Sequence, residues 1–169
     1  MSSSEAPPDV AVRAASSSDL DFLSEANRLA QDAVTDARGG TLANQLLGRR
    51  EPLAETFNVD LASSTTAVRL GTLDGHGVGY LVVRKLDLPN GSVVAEIGDL
   101  WVHPDARGVG VGAALMQEAL AIAQDWGASG VDSRALPGDR VTKNFFESFG
   151  LKARLISVHR SLNSGAAQS

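Results

Sequence analysis

The stretch EIGDLWVHPDARGVGVGAALMQEALAIAQDW, residues 96–126, decides the fold of this chain. A strand-like segment that ends at Val102 is followed by a short turn, a glycine-rich segment at residues 107–112 and a helical repeat. Apolar residues in that repeat share one helix face: Leu115, Ala119, Ile122 and Trp126. The sequence therefore predicts a strand, a glycine turn and the start of a helix in direct succession.

The glycine turn, residues 107–112, has the composition of a loop that binds an anion. Glycine has no Cβ, so a ligand can come close to the backbone. The N-terminus of a helix adds unpaired N–H groups with a partial positive charge, and Arg107 adds a charged contact. We interpret this region as a phosphate site. Its predicted contacts are Arg107, Gly108, Val109, Gly110, Val111, Gly112 and Ala113.

Two families of motif fit this turn. The spacing Gly108-x-Gly110-x-x-Ala113 matches the dinucleotide fingerprint G-x-G-x-x-G/A, and Asp132 lies where an acidic ribose ligand is expected. The spacing of Arg107, Gly110 and Gly112 equally matches Q/R-x-x-G-x-G/A. This second pattern resembles the signature of the GNAT superfamily of N-acetyltransferases, where the turn holds the pyrophosphate of acetyl-CoA.

The elements that flank the turn separate the two interpretations. Asp74-Gly75 and Asn90-Gly91 are strong hairpin signals, so three antiparallel strands precede the turn. Only one further strand and helix unit follows, at residues 130–150, before a last predicted strand at residues 151–162. A dinucleotide fold needs repeated βαβ units, so this element order excludes it.

The same order is similar to that of GNAT enzymes from about residue 10 to residue 162. Two further motifs resemble the family: Leu100, Val102 and Pro104, and the FFESFGL segment at residues 145–151. The sequence thus predicts one α/β (α+β) domain at residues 9–162, with a mixed sheet of six to seven strands and helices on both faces. Residues 1–8 and 163–169 are expected to be disordered tails, because they carry few groups to bury.

The apolar alternation of the third hairpin strand changes phase. Ala95 and Ile97 occupy odd positions, whereas Leu100 and Val102 occupy even ones. One extra residue near Gly98 and Asp99 would bring both pairs to one face, so we expect a β-bulge there.

The resemblance implies the rest of the donor site. Backbone groups of Leu100, Trp101 and Val102 would pair with the pantetheine arm as another strand would. Asp139 lies where relatives often have asparagine. Phe146 lies where many relatives have the tyrosine that protonates the leaving thiolate, and phenylalanine has no proton to give. These departures keep a second hypothesis open, a non-catalytic module that binds acyl-CoA.

Two carboxylates are candidates for the general base. Only a neutral amine attacks a thioester, and an alkyl ammonium with a pKa of about 10 is almost wholly protonated at neutral pH. Glu96 lies beside the expected bulge, in a setting similar to that of family members in which the glutamate is the base. A solvated or ion-paired strand carboxylate is the equally weighted alternative. Asp99 is the alternative candidate, and it is less favoured because its neighbour Gly98 could turn it outward.

Bulk composition limits the partners. The formal net charge is −5 and the sequence pI is near 5.1, which disfavours nucleic acid and anionic membranes and favours a cationic amine as acceptor. The sequence has no cysteine, so a cysteine acyl-enzyme is excluded, and the spacing of its histidines predicts no metal site. We expect a cytoplasmic protein, because no secretion signal is visible, and a homodimer, because relatives commonly pair.

Overall fold

The computed structural model describes residues 6–162. Residues 1–5 and the predicted C-terminal tail, residues 163–169, lie outside the described part, so the predicted tails stay predictions. None of the helices within residues 6–162 has the length and apolar content that crossing a membrane requires. In chain order the strands and helices are β1 (Val10–Ala14), α1 (Leu20–Thr35), α2 (Gly40–Leu47), α3 (Leu53–Ala62), β2 (Thr66–Leu73), β3 (His76–Asp87), β4 (Val93–Val102), α4 (Val111–Asp125), β5 (Val131–Asp132) and α5 (Arg140–Ser148).

The described residues contain one mixed sheet with the strand order β1-β2-β3-β4-β5. The first four strands are antiparallel neighbours, and β5 runs parallel to β4 because α4 returns the chain across the sheet. Asp74 and Gly75 have φ values of 50° and 80°, the left-handed conformation that a tight two-residue hairpin turn needs. The hairpins predicted from the sequence are therefore confirmed.

Helices cover both faces of the sheet, as predicted. On the α4 face, α4 buries Val111, Leu115 and Met116 against Leu81, Val83 and Ile97. On the opposite face, which we call the α1/α3 face, Leu23, Leu53 and Phe57 pack against Val82, Tyr80 and Trp101. Burial of such apolar side chains is the main force that holds the helices to the sheet.

The β-bulge in β4 is confirmed. Val83 pairs with Ile97 and Val82 pairs with Asp99, so Gly98 is the extra residue. Ile97 before the bulge and Val102 after it consequently both join the core of the α4 face, although their sequence parity differs.

The prediction of six to seven strands was wrong, because the sheet has five. The strand predicted at the start of the 130–150 unit is limited to Val131–Asp132, and residues 151–162, predicted as the last strand, contain no strand. Alternating apolar residues form a strand only where a partner edge exists, and β5 is paired over just two residues. The apolar side chains of the last segment remain 83–90% exposed: Leu155, Ile156, Val158 and Leu162.

Candidate functional site

The two parallel strands part just after they meet. β5 pairs with β4 only where Val131 and Asp132 lie beside Ala95 and Glu96, and Ser133 makes one further contact, from its hydroxyl to the Ile97 carbonyl at 3.4 Å. Beyond this point β4 still pairs with β3, but on the β5 side no strand of the described residues lies beside it. The gap begins at the bulge.

The last residues of β4 expose backbone groups toward this gap. The N–H of His103 donates to the Val78 carbonyl of β3 at 2.8 Å. Since neighbouring residues of a strand point their polar groups in opposite directions, those of Val102 and of Leu100 point away from β3. Arg107 Nε donates to the Val102 carbonyl at 3.0 Å. The side chain of Trp101 points the other way, into the core of the α1/α3 face.

The predicted glycine turn lies at the end of this open edge. Gly108 and Gly110 have φ values of 80° and 103°, which only glycine adopts readily. A Cβ at either position would have no atom within 4 Å, so the space in front of the turn is open. Gly110 is the residue from which α4 starts, and the first N–H groups of this helix, from Val111 to Ala113, have no partner within the helix.

The other residues predicted to contact phosphate differ in their exposure to solvent. Val109 is exposed, whereas Val111 is fully buried under the helix start and contributes only its backbone N–H to the turn. A Cβ at Gly112 would lie 3.6 Å from the ring of Phe145, so α5 closes that side. Arg107 uses Nε for the Val102 carbonyl, and its terminal nitrogens make no hydrogen bond within the described residues. The turn therefore offers backbone N–H groups and one guanidinium to an anion.

The helix α5 places Asp139 and Phe146. Asp139 Oδ1 accepts from the Thr142 N–H at 3.0 Å, so this carboxylate caps α5. Phe146 is half-buried against the α4 face, with its ring 5.6 Å from that of Phe145 in an edge-to-face arrangement. The side chain of Phe146 is thus an apolar ring without the hydroxyl that a proton donor would need.

The two candidate carboxylates lie on the same face of the sheet, the α1/α3 face. Glu96 lies where β4 and β5 are still paired, and its Oε2 meets Arg134 Nη2 at 2.6 Å. Asp99 lies beyond the bulge, and its Oδ2 meets Arg49 Nη2 at 3.0 Å. Both carboxylates are partly exposed, and both have an arginine partner.

Sequence reasoning missed Arg49. It follows α2, its side chain is 7% exposed, and its guanidinium lies 3.8 Å from the centre of the Phe57 ring. Nη2 also meets Asp60 of α3 at 2.8 Å. Burial alone lowers the pKa of Arg49, but the charges and hydrogen bonds of Asp99 and Asp60 outweigh burial, so the net pKa is raised. Arg49 is a permanent buried cation beside the bulge.

Tyr80 lies beneath the same cluster. Its hydroxyl is buried and accepts from Asn27 Nδ2 at 2.9 Å. Burial, and then the negative charge of Asp99, raise the pKa of Tyr80 far above its usual range. The phenol therefore stays protonated at neutral pH.

A comparison with known protein families gives a match over most of the chain. The model of the acetyltransferase (GNAT) family matches residues 38–151. No curated protein matches the sequence.

Solved structures share the fold at low identity. The ribosomal-protein-alanine N-acetyltransferase of Brucella melitensis superposes with a TM-score of 0.68 at 17% identity, over 91% of this chain and 100% of its own. An aminoglycoside acetyltransferase from an uncultured soil sample gives 0.70 at 16% identity, over 92% and 99%. A predicted acetyltransferase of Clostridium acetobutylicum, solved with acetyl-CoA, gives 0.69 at 12% identity, over 91% and 97%. These similarities extend over the whole domain and establish its fold.

Proposed function

Because the chain belongs to the acetyltransferase (GNAT) family, we propose that it transfers an acetyl group from acetyl-CoA to a primary amine. The observation that carries this proposal is the open edge of β4, which leads directly into the glycine turn and the N-terminus of α4. A backbone edge suits the pantetheine arm, and a helix N-terminus suits a pyrophosphate.

The residues of the glycine turn and of the end of β4 are suited to bind acetyl-CoA. The open space in front of Gly108 and Gly110 leaves room for the phosphates, and the N–H groups of residues 111–113 with Arg107 supply the donors. Leu100 and Val102 supply the backbone groups for pantetheine. The apolar ring of Phe146 lies on the α5 side. The thioester supplies an activated acyl carbon, and every other contribution comes from side chains and backbone of this chain.

Transfer needs one base and no covalent intermediate. The neutral nitrogen of the acceptor forms the new C–N bond as the C–S bond breaks, and a carboxylate on the α1/α3 face, Glu96 or Asp99, takes the proton that the nitrogen loses. The leaving thiolate takes its proton from water, because Phe146 has none to give. Backbone N–H groups near Leu100 stabilise the oxyanion that develops during attack.

A second function, binding of acyl-CoA without turnover, is favoured by one observation. Phe146 replaces the proton donor that the family resemblance implies, and this replacement affects catalysis without affecting binding. Calorimetry with acetyl-CoA and a turnover assay together separate the two functions.

The test is a screen for coenzyme A release over a panel of amines. The sequence has no cysteine, so a thiol-reactive chromophore reports only released coenzyme A. Two structural relatives are named for ribosomal-protein alanine and for aminoglycosides, so the panel includes peptides that begin with alanine, aminoglycosides and simple alkylamines. Amine-dependent release supports the proposal. Tight binding of acetyl-CoA with no release above the rate of spontaneous hydrolysis refutes transfer and supports the binding module.

A further inference from the structure

The bulge gives Asp99 a position that Glu96 lacks. The extra residue Gly98 turns Asp99 to the α1/α3 face, directly before Leu100, whose backbone faces the gap between β4 and β5. Glu96 lies three residues earlier, where the two strands are still paired. Asp99 is therefore the carboxylate at the mouth of the gap.

Arg49 binds the side chain of Asp99 and is itself held by α1 and α3. The backbone carbonyl of Arg49 accepts from Gln31 Nε2 of α1 at 3.0 Å, and its guanidinium is packed over the Phe57 ring of α3. Its Nη2 lies between Asp60 and Asp99, at 2.8 Å and 3.0 Å. Two helices thus fix the arginine, and the arginine fixes one oxygen of Asp99.

Packing alone is a poor explanation for the buried side chain of Arg49. A buried ion pair loses solvation that an apolar side chain of similar size would not lose, so packing alone does not account for Arg49. Its Nε is buried and has no hydrogen-bond partner among the described residues. By contrast, Arg134, the partner of Glu96, is 54% exposed and lies outside any helix or strand. Solvent screens that pair, and nothing comparable holds Glu96 in place.

The free oxygen of Asp99 is the one that can meet a substrate. Arg49 occupies Oδ2, whereas Oδ1 has no hydrogen bond within the described residues. We propose that Arg49 is a positioning residue for acetyl transfer, which fixes Asp99 so that Oδ1 receives the proton of the attacking amine. This inference rests on the proposed function and assigns the base to Asp99 in preference to Glu96.

The test compares Arg49→Met with Arg69→Met. Arg69 is the control: it is a partly buried arginine of β2 whose carboxylate partner, Glu118 at 2.7 Å, lies on the α4 face, away from Asp99. We expect Arg49→Met to lower kcat about tenfold or more while the affinity for acetyl-CoA stays unchanged, since positioning of a base contributes to the transition state. Arg69→Met keeps the wild-type kcat.

A double variant tests whether Arg49 acts through Asp99. Asp99→Asn removes the base, so adding Arg49→Met to it should cost no further activity. If Arg49→Met does not fold, Arg49→Lys replaces it: lysine keeps the charge but loses the planar fork, and we expect a fall in kcat of about fivefold or more.

The outcomes separate the inference from the proposed function. Wild-type protein that turns over no amine overturns both. Turnover in the wild type with an equal kcat in the Arg49 variant and in Arg69→Met overturns the inference alone. An unaffected Asp99→Asn variant, or a double variant much slower than Asp99→Asn, also overturns it.

Discussion

Gly110 offers the sharpest test of the donor site. Its φ of 103° and the empty space where a Cβ would lie mean that a side chain at this position strains the backbone but meets no atom of the protein. We expect Gly110→Glu to lower the free energy of unfolding by about 1–3 kcal/mol and to leave the fold intact. The new carboxylate would lie where we place the phosphates.

The loss of affinity follows from the charge. Two negative charges about 5 Å apart repel by about 3 kcal/mol at an effective dielectric constant of about 20, which corresponds to a loss of about 100-fold in affinity. Gly91→Glu is the control, because Gly91 has a φ of 81° and the same open surroundings, but lies in the hairpin at the opposite end of β4. Calorimetry with acetyl-CoA gives Kd, and urea denaturation gives the stability. Equal Kd values for the two variants would refute the assignment of the turn.

Three further predictions concern acid supply and stability. Phe146→Tyr should raise turnover about tenfold in the coenzyme A release assay, because it adds a proton donor for the thiolate, and an unchanged rate would contradict this. Tyr80→Phe should lower the free energy of unfolding, measured in urea, by about 1–3 kcal/mol, because Asn27 loses a buried partner. The pH profile of its turnover should be the same as that of the wild type, because Tyr80 does not supply the proton. Asp19 is held by a hydrogen bond from Arg13 that lowers its pKa to about 2, below the unfolded value of 3.8, so its stabilisation is present above about pH 4 and disappears as the pH falls through about 2. After allowance for the half-exposed arginine, Asp19→Asn should lose about 1 kcal/mol at pH 7, the loss should shrink as the pH falls through about 2, and a loss independent of pH would contradict this.

Sequence motifs predicted the parts of the fold that depend only on residues close together in the chain. Asp74-Gly75 produces a hairpin because both residues accept a left-handed backbone, and no distant contact is needed. The phase change between Ile97 and Leu100 predicted the bulge for a similar reason, since one face of β4 must stay in the core. The glycine turn was visible because a helix start and a strand end flank it within a few residues.

The C-terminal segment shows where local signals fail. Ile156 and Val158 alternate with polar residues as in an edge strand, yet both are more than four-fifths exposed. Alternation says which face a strand would bury, but it does not say whether an edge is available. That edge depends on how far β5 follows β4, and the two strands part after Asp132.

Arg49 escaped sequence analysis for a related reason. It lies in a charged segment, Arg49-Arg50-Glu51, that has the composition of a solvated loop. Its carboxylate partner on β4 is fifty residues away in the chain. Only the packing of α1 and α3 on the sheet brings the two together, so no spacing rule could have connected them.

The position of Asp99 depends on the bulge, and this dependence is the reason that we propose Asp99 in preference to Glu96. The sequence favoured Glu96, because glycine at position 98 could turn its neighbour outward. In the structure the extra residue turns Asp99 inward, onto the face where Arg49 lies, and a Cβ at position 98 would collide with the guanidinium of Arg84. Glycine at this position thus leaves room for a cation beside the bulge, and a larger residue would displace the end of the Arg84 side chain. A strand without that bulge would send Asp99 into the apolar core of the α4 face, where an unpaired carboxylate is too costly to bury. If Asp99 is the base, as we propose, the same bulge that lies at the start of the gap beside β4 also brings a carboxylate to the acceptor side of the proposed site.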